Sequence, residues 1–230
     1  MKNLIFLVLA TMIAATLSSC NNSASENAGS HVMVMVDKTE PIPTRESIIP
    51  TEALMQLVGD IGTIDFKEIN AVSLNPDTSI SFSLADAPNE MYAKKDRDKF
   101  ILKVNEFREK FLVAVKKGTK KSSIYQPICQ AVHSMAKFDP SAKKTIIVCS
   151  DMIENSAYGD FYHQSADRIQ KVEEGLKASG DSLVKVPNLT VIVLYNPGGS
   201  IKKQAQFDRA IGIWNVLGKN KFTLRVAANL

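Results

Sequence analysis

The 230-residue sequence contains few cysteines and histidines, one tryptophan and no strong excess of charge. Its three cysteines include no Cys-x-x-Cys pair, and the three histidines are isolated, so the spacing of a structural zinc site is absent. The formal net charge of +4 is mild, and no basic stripe with interleaved aromatic residues argues for nucleic acid. A hydrophobic content of 45% is nevertheless ample for a folded core.

Sequence motifs of the common nucleotide-binding and hydrolytic enzymes are also missing. Residues 37–41, which follow the first strand-like segment, contain no glycine and therefore no phosphate-binding loop. No Gly-x-Ser-x-Gly nucleophile elbow occurs. The Gly-Gly pair in residues 196–200 is interpreted as a loop. Because none of these enzyme motifs is present, no small-molecule substrate is expected.

The N-terminus has the pattern of a secretory signal. Lys2 supplies a positive charge, a mostly apolar run extends from Leu4 to Leu17, and two serines precede Cys20. The run is too short for a comfortable transmembrane helix, which needs about 20 apolar residues. The alternatives are an ordinary cleaved signal and a lipoprotein signal.

Leu17-Ser18-Ser19-Cys20 resembles the bacterial lipobox. The resemblance implies that Cys20 receives diacylglycerol and becomes the mature N-terminus, which anchors the protein in the cell envelope by two or three acyl chains such as palmitate. Each buried methylene contributes about 0.8 kcal/mol, so the anchor should be permanent. If the sorting rules of enteric bacteria apply, Asn21 favours the outer membrane over the inner one.

Composition divides the chain into three parts. Residues 1–19 are the predicted signal peptide, and residues 20–30 are the lipidated cysteine with a polar tether that cannot bury enough apolar surface to fold. Residues 31–230 have the length of one globular domain.

Six segments have the apolar or alternating pattern of strands, and four or five have helical periodicity. The predicted strands are His31–Val36, Thr63–Ile69, Ser79–Leu84, Thr145–Cys149, Leu189–Leu194 and Phe222–Val226. The predicted helices are Thr44–Val58, with Pro50 in its first turn, Tyr92–Lys117, Ser123–Lys137, Asp160–Ser179 and Lys203–Leu217.

Alternation of strands and helices predicts an α/β fold. The expected architecture is a three-layer, doubly wound, mostly parallel six-stranded sheet. The turn signal Asn75-Pro76-Asp77 joins the second and third strands as a hairpin, which makes one edge strand antiparallel.

Polar side chains follow two of the buried strands. Asp37 and Thr39 come after the first, Ser150, Asp151 and Glu154 come after the fourth, and Ser122 and Ser123 precede a helix. In open α/β sheets, ligands bind beyond the carboxyl ends of the strands, where the strand order reverses. Oxygen ligands of this kind suit Mg²⁺, Mn²⁺ or Ca²⁺.

These positions resemble the metal-ion-dependent adhesion site of the von Willebrand factor A-like family. That family carries Asp-x-Ser-x-Ser after the first strand, a Thr before a helix, and an Asp after the fourth strand, often as Thr-Asp-Gly. The resemblance implies metal ligation by Asp37, by Thr39, by Ser122 or Ser123, and by Asp151. It also implies a protein partner that supplies a final carboxylate ligand.

Two residues depart from the family pattern. Pro41 stands at the second serine and offers no hydroxyl, so metal binding should be weak, with water completing the shell. Met152 stands where glycine is usual. An aspartate at a strand end can also simply cap the following helix, so a site without metal is the alternative.

The resulting hypothesis is a non-enzymatic, lipid-anchored domain that binds a protein partner. The competing hypotheses are a metal-dependent phosphatase or hydrolase using Asp151 and Glu154, and a metal-free scaffold of an envelope or mobile-element assembly. Cys129 and Cys149 lie in apolar contexts, and both are expected to be reduced.

Overall fold

The structure of the protein is a computed structural model. The structure describes residues 29–37, 49–69, 78–83, 89–114, 123–156, 159–160, 182–197 and 200–230. The predicted signal peptide, Cys20, Thr39, Ser122 and the predicted helix Asp160–Ser179 beyond its first residue lie outside these ranges.

The described strands are β1 (Ser30–Asp37), β2 (Ile61–Ile69), β3 (Thr78–Ser83), β4 (Lys144–Cys149), β5 (Asn155–Ser156), β6 (Gly159–Asp160), β7 (Leu189–Leu194) and β8 (Thr223–Ala227). Apart from β5 and β6, they match the predicted segments to within about two residues at each end. The short antiparallel pair β5–β6 was not predicted, because two-residue strands carry no periodicity.

The described helices are α1 (Thr51–Val58), α2 (Glu90–Ala114), α3 (Tyr125–Met135) and α4 (Ile201–Gly218). Pro50 is the N-cap of α1 rather than a first-turn residue, so the prediction that α1 already includes Pro50 is wrong. The missing N–H of proline costs nothing at that position. The predicted start at Thr44 lies outside the described residues.

The main sheet has the strand order β3-β2-β1-β4-β7-β8. β2 pairs with β3 in antiparallel fashion, and every other neighbouring pair is parallel. The chain moves outward from β1 to one edge and then returns to β4, so the order reverses between these two neighbours. β1 and β4 therefore present their carboxyl ends side by side.

Helices cover both faces of the sheet, which gives three layers. On one face, Met33 and Met35 of β1 pack with α3 and α4 in a core that includes Trp214. On the other, Val32, Val34 and Val36 of β1 pack with α1 and α2. Each face of the strand is buried, which explains its nearly continuous apolar sequence.

Cys129 and Cys149 are both free thiols, and both are buried. Cys129 belongs to the core under α3 and α4, whereas Cys149 belongs to the core on the opposite face. Helix α3 and strand β4 pack together, but Val148 and not Cys149 lies in the core that contains Cys129. The sheet itself separates the two thiols.

No helix in the described part of the chain is long and apolar enough to cross a bilayer.

Candidate functional site

The carboxyl ends of β1 and β4 bring Asp37 next to Ser150. Val36 pairs with Cys149 in the parallel register, so the next residue of each strand lies at the same edge. The Oγ of Ser150 donates a hydrogen bond to Oδ2 of Asp37 at 2.9 Å, and both side chains are fully buried. A hydrogen bond from the protein lowers the cost of burying the Asp37 carboxylate.

The loop after β4 is held by its own side chains. The N–H of Met152 donates to Oγ of Ser150 at 2.9 Å, and the N–H of Ile153 donates to Oδ1 of Asp151 at 3.0 Å. These two overlapping side-chain turns fix the direction of the chain immediately above the strand. Ser150 therefore links this loop to Asp37 of the neighbouring strand.

Met152 adopts a left-handed backbone conformation with φ of 61°. Its side chain is nonetheless fully buried in the core, and its carbonyl oxygen accepts the indole N–H of Trp214 at 3.0 Å. A non-glycine residue in this region costs about 1–2 kcal/mol. The buried side chain and the bond from Trp214 offset that cost.

Glu154 caps α3 from a distance of 30 residues in sequence. Its Oε2 accepts the N–H groups of Ile124 and Tyr125, each at 2.6 Å, and its Oε1 accepts the hydroxyl of Ser156. Helix α3 has no capping side chain at its own N-cap, Ile124. Glu154 therefore supplies the acceptor that the helix start lacks.

Burial is the main reason that the pKa of Glu154 is raised above its ordinary value. The hydrogen bonds from Ser156, Tyr125 and Ile124 act in the opposite direction, and the negative charge of Asp37 raises the pKa further. Asp37 and Glu154 therefore interact electrostatically across the loop. A cation or a proton near the pair relieves their repulsion.

The predicted metal ligands are only partly brought together. Asp37 and Asp151 follow neighbouring strands, and Ser123 is buried directly before α3, whereas Thr39 and Ser122 lie outside the described residues. Their oxygen atoms suit a hard divalent cation in kind. Within the described ranges, no three His, Cys, Asp or Glu side chains form a group that could hold a metal ion.

Sequence reasoning missed the capping role of Glu154 and the hydroxyl bond of Ser150. Glu154 was considered only as a partner of Asp151 in hydrolysis, because its backbone partners are too distant in sequence to give a local capping signal. Ser150 was noted only as the residue before Asp151. The bond from Ser150 to Asp37 could have been inferred from sequence, because it follows once the first and fourth strands are neighbours.

No protein-family model matches the chain, and no curated protein matches it either. Among solved structures, the chain is similar to an aerotolerance-related membrane protein from Bacteroides fragilis NCTC 9343 that carries multiple mutations to serine. The TM-score is 0.37 at 13% sequence identity, and the match covers 86% of this chain and 92% of that chain.

Proposed function

We propose that this protein is a lipid-anchored, non-enzymatic binding domain of the bacterial cell envelope with a von Willebrand factor A-like fold. One observation carries the proposal: Asp37 is the last residue of β1, and the pair Ser150-Asp151 follows the neighbouring parallel strand β4, where the strand order reverses. These are the positions at which the family places its two acidic residues and a preceding hydroxyl. The carboxyl edge of the sheet is then the surface that meets a protein partner.

The backbone of Met152 gives further support. The family often has glycine directly after the second aspartate, and Met152 at that position has φ of 61°, which favours glycine. Met152 therefore departs from the family pattern in residue type, while its backbone has the conformation that a glycine at this position would favour.

The arrangement of the acids favours binding over hydrolysis. A hydrolase using Asp151 and Glu154 needs both carboxylates directed at a metal or a water molecule. Glu154 instead accepts the N–H groups of Ile124 and Tyr125 with one oxygen and the hydroxyl of Ser156 with the other. Glu154 thus stabilises local structure, which leaves Asp151 without a second acid for hydrolysis.

The site would hold Mg²⁺, Mn²⁺ or Ca²⁺ through Asp37, Thr39, Ser122 or Ser123, and Asp151. When bound, the ion would accept a carboxylate of the partner as its last ligand. The chain's own residues would orient that contact, because Ser150 and the loop after β4 fix Asp37 in place.

A capture experiment with the native lipoprotein tests the binding function. Cross-linked partners should be recovered from envelope extracts in the presence of Mg²⁺ and lost on addition of a chelator or in an Asp37→Asn variant. Recovery of the same partners both with chelator and with the Asp37→Asn variant would favour the metal-free scaffold. Turnover of generic phosphoesters with Mg²⁺ that disappears in an Asp151→Ala variant would establish the hydrolase instead.

A separate experiment tests the anchor. The Cys20→Ser variant should remain unprocessed or fail to enter the detergent phase, because it offers no thiol for diacylglycerol. The matched control is Cys129→Ser, which leaves the lipobox intact. If Cys20→Ser is processed and partitions as the wild type does, the lipid anchor is excluded.

A further inference from the structure

A basic cleft lies at the amino edge of the sheet, at the opposite end from Asp37. It is a shallow, open depression of about 580 Å³, and its lining includes Lys143, Lys185 and Lys221 together with the polar residues Ser141, Asn188 and Asn220. None of the residues that line it is an aspartate or a glutamate. The cleft therefore offers positive charge and hydrogen-bond donors to an anion.

The walls of the cleft are tied together by backbone hydrogen bonds. The N–H of Val186 donates to the carbonyl oxygen of Lys221 at 3.0 Å, and the N–H of Lys144 donates to that of Asn188 at 3.0 Å. The loops that precede β4, β7 and β8 thus form one continuous surface.

The side chain of Lys144 also links these loops by hydrogen bonds. Its Nζ donates to the carbonyl oxygens of Asp139 at 2.6 Å, Ala142 at 3.1 Å and Pro187 at 3.4 Å. The shape of the cleft is therefore set by hydrogen bonds that do not use the side chains of Lys143, Lys185 and Lys221.

Lys143, Lys185 and Lys221 form no ion pair with a carboxylate of the described residues. The side-chain ion pairs within the described ranges join Arg97 to Asp60 and Lys99 to Asp96, both away from the cleft. The nearby carboxylate of Asp139 accepts the N–H and the hydroxyl of Ser141 at 2.7 and 2.6 Å.

The chain enters the fold at this same edge. The N–H of His31, the second residue of β1, donates to the carbonyl oxygen of Lys143 at 2.9 Å. Nine residues, 21–29, separate Cys20 from the start of β1. Such a tether spans at most about 30 Å when extended and roughly 16 Å as a flexible chain. A lipid on Cys20 would hold the cleft close to the membrane surface.

We propose that the amino edge of the sheet is a membrane-facing surface whose Lys143, Lys185 and Lys221 bind anionic lipid headgroups. The orientation rests on the proposed lipid anchor, while the affinity for anionic lipid rests on the cleft alone. The carboxyl edge with Asp37 and Asp151 then faces away from the membrane, about 20 Å farther out along strands of six residues. This places the proposed partner-binding edge where a partner can reach it.

Co-sedimentation with vesicles tests the surface independently of the anchor. The chain from Asn21 onward lacks Cys20 and keeps every residue that the structure describes. It should bind vesicles of phosphatidylcholine mixed with phosphatidylglycerol, and this binding should weaken as the salt concentration rises. It should not bind vesicles of phosphatidylcholine alone. Each lysine near an anionic surface contributes about a fivefold gain in partition, so Lys143→Gln/Lys185→Gln should lower binding roughly 25-fold.

The matched control is Lys202→Gln/Lys203→Gln, which removes the same charge from exposed lysines at the other end of α4. Equal losses in the two double variants, or equal binding to neutral and anionic vesicles, would overturn the proposal. Salt-dependent binding to polyglutamate without binding to vesicles would overturn it in favour of an acidic protein segment. If the Cys20→Ser variant is processed and partitions as the wild type does, the lipid anchor is excluded, but the vesicle result still tests whether the cleft binds anionic lipid.

Discussion

Glu154 accepts the backbone N–H of Ile124 at 2.6 Å and so connects the loop after β4 to the start of α3. The bond joins the candidate site to a helix that packs on the same face of the sheet as Trp214. The loop that carries Asp151 is therefore fixed at both of its ends.

The first prediction concerns the pH dependence of stability at Glu154. Its folded pKa is raised, chiefly by burial, so the folded state binds the proton more tightly than the unfolded chain does. The free energy of unfolding should therefore fall as pH rises from below the ordinary glutamate pKa of about 4.3 through the raised value. Glu154→Gln should flatten this dependence in urea unfolding, whereas the exposed Glu106→Gln should not. A steeper slope in the Gln variant would contradict the assignment.

The second prediction concerns the left-handed residue Met152. Met152→Ala and Met152→Gly both remove a fully buried side chain, which should cost about 2–5 kcal/mol. Only glycine relieves the left-handed backbone, worth about 1–2 kcal/mol, so Met152→Gly should be the more stable of the two. Chemical denaturation measures the difference. The opposite order would show that the conformation carries no strain.

The third prediction compares two glycines with different surroundings. A Cβ on Gly62 would lie 2.8 Å from Cγ1 of Val58 and against the carbonyl oxygen of Ser30, so Gly62→Ala should destabilise the protein by about 1–3 kcal/mol. A Cβ on Gly212, inside α4, meets no atom within 4 Å. Gly212→Ala should therefore stabilise by up to about 1 kcal/mol. Thermal unfolding of the two variants separates these outcomes, and a shift in the same direction for both would refute the packing argument.

The fourth prediction concerns the thiols. Burial raises the pKa of Cys149 to about 12, so its thiolate is scarce, and Cys129 is buried on the other side of the sheet. In the chain from Asn21 onward, no thiol should react with a disulfide reagent while the protein is folded, and two should react after denaturation. Zero reactive thiols in denaturant would reveal a disulfide.

The sheet could be predicted from sequence because its buried strands are short, continuous apolar runs. His31–Val36 and Thr145–Cys149 were identified in this way, and parallel topology then placed Asp37 and Asp151 at one edge. The capping of α3 by Glu154 could not be predicted, since it joins residues 30 apart without a local pattern. The face on which Cys149 lies was also open, because a strand covered on both sides alternates between two apolar environments.

The last prediction concerns divalent metal. Asp37 and Glu154 are buried close enough to interact, and the charge of Asp37 raises the pKa of Glu154. A divalent cation at the carboxyl edge would relieve this repulsion, so millimolar Mg²⁺, Mn²⁺ or Ca²⁺ should raise the thermal unfolding temperature of the wild type. At ten times the dissociation constant, the gain in unfolding free energy is about 1.4 kcal/mol.

The control for this experiment is Asp37→Asn, whose side-chain oxygen can still accept the hydroxyl of Ser150 while it carries no charge. The Asn variant should show no metal-dependent gain. It should also flatten part of the pH dependence assigned to Glu154, because one cause of the raised pKa is gone. If no cation stabilises the wild type more than the Asn variant, the edge binds no metal. Recognition of a partner would then depend on the loop surfaces after β1 and β4.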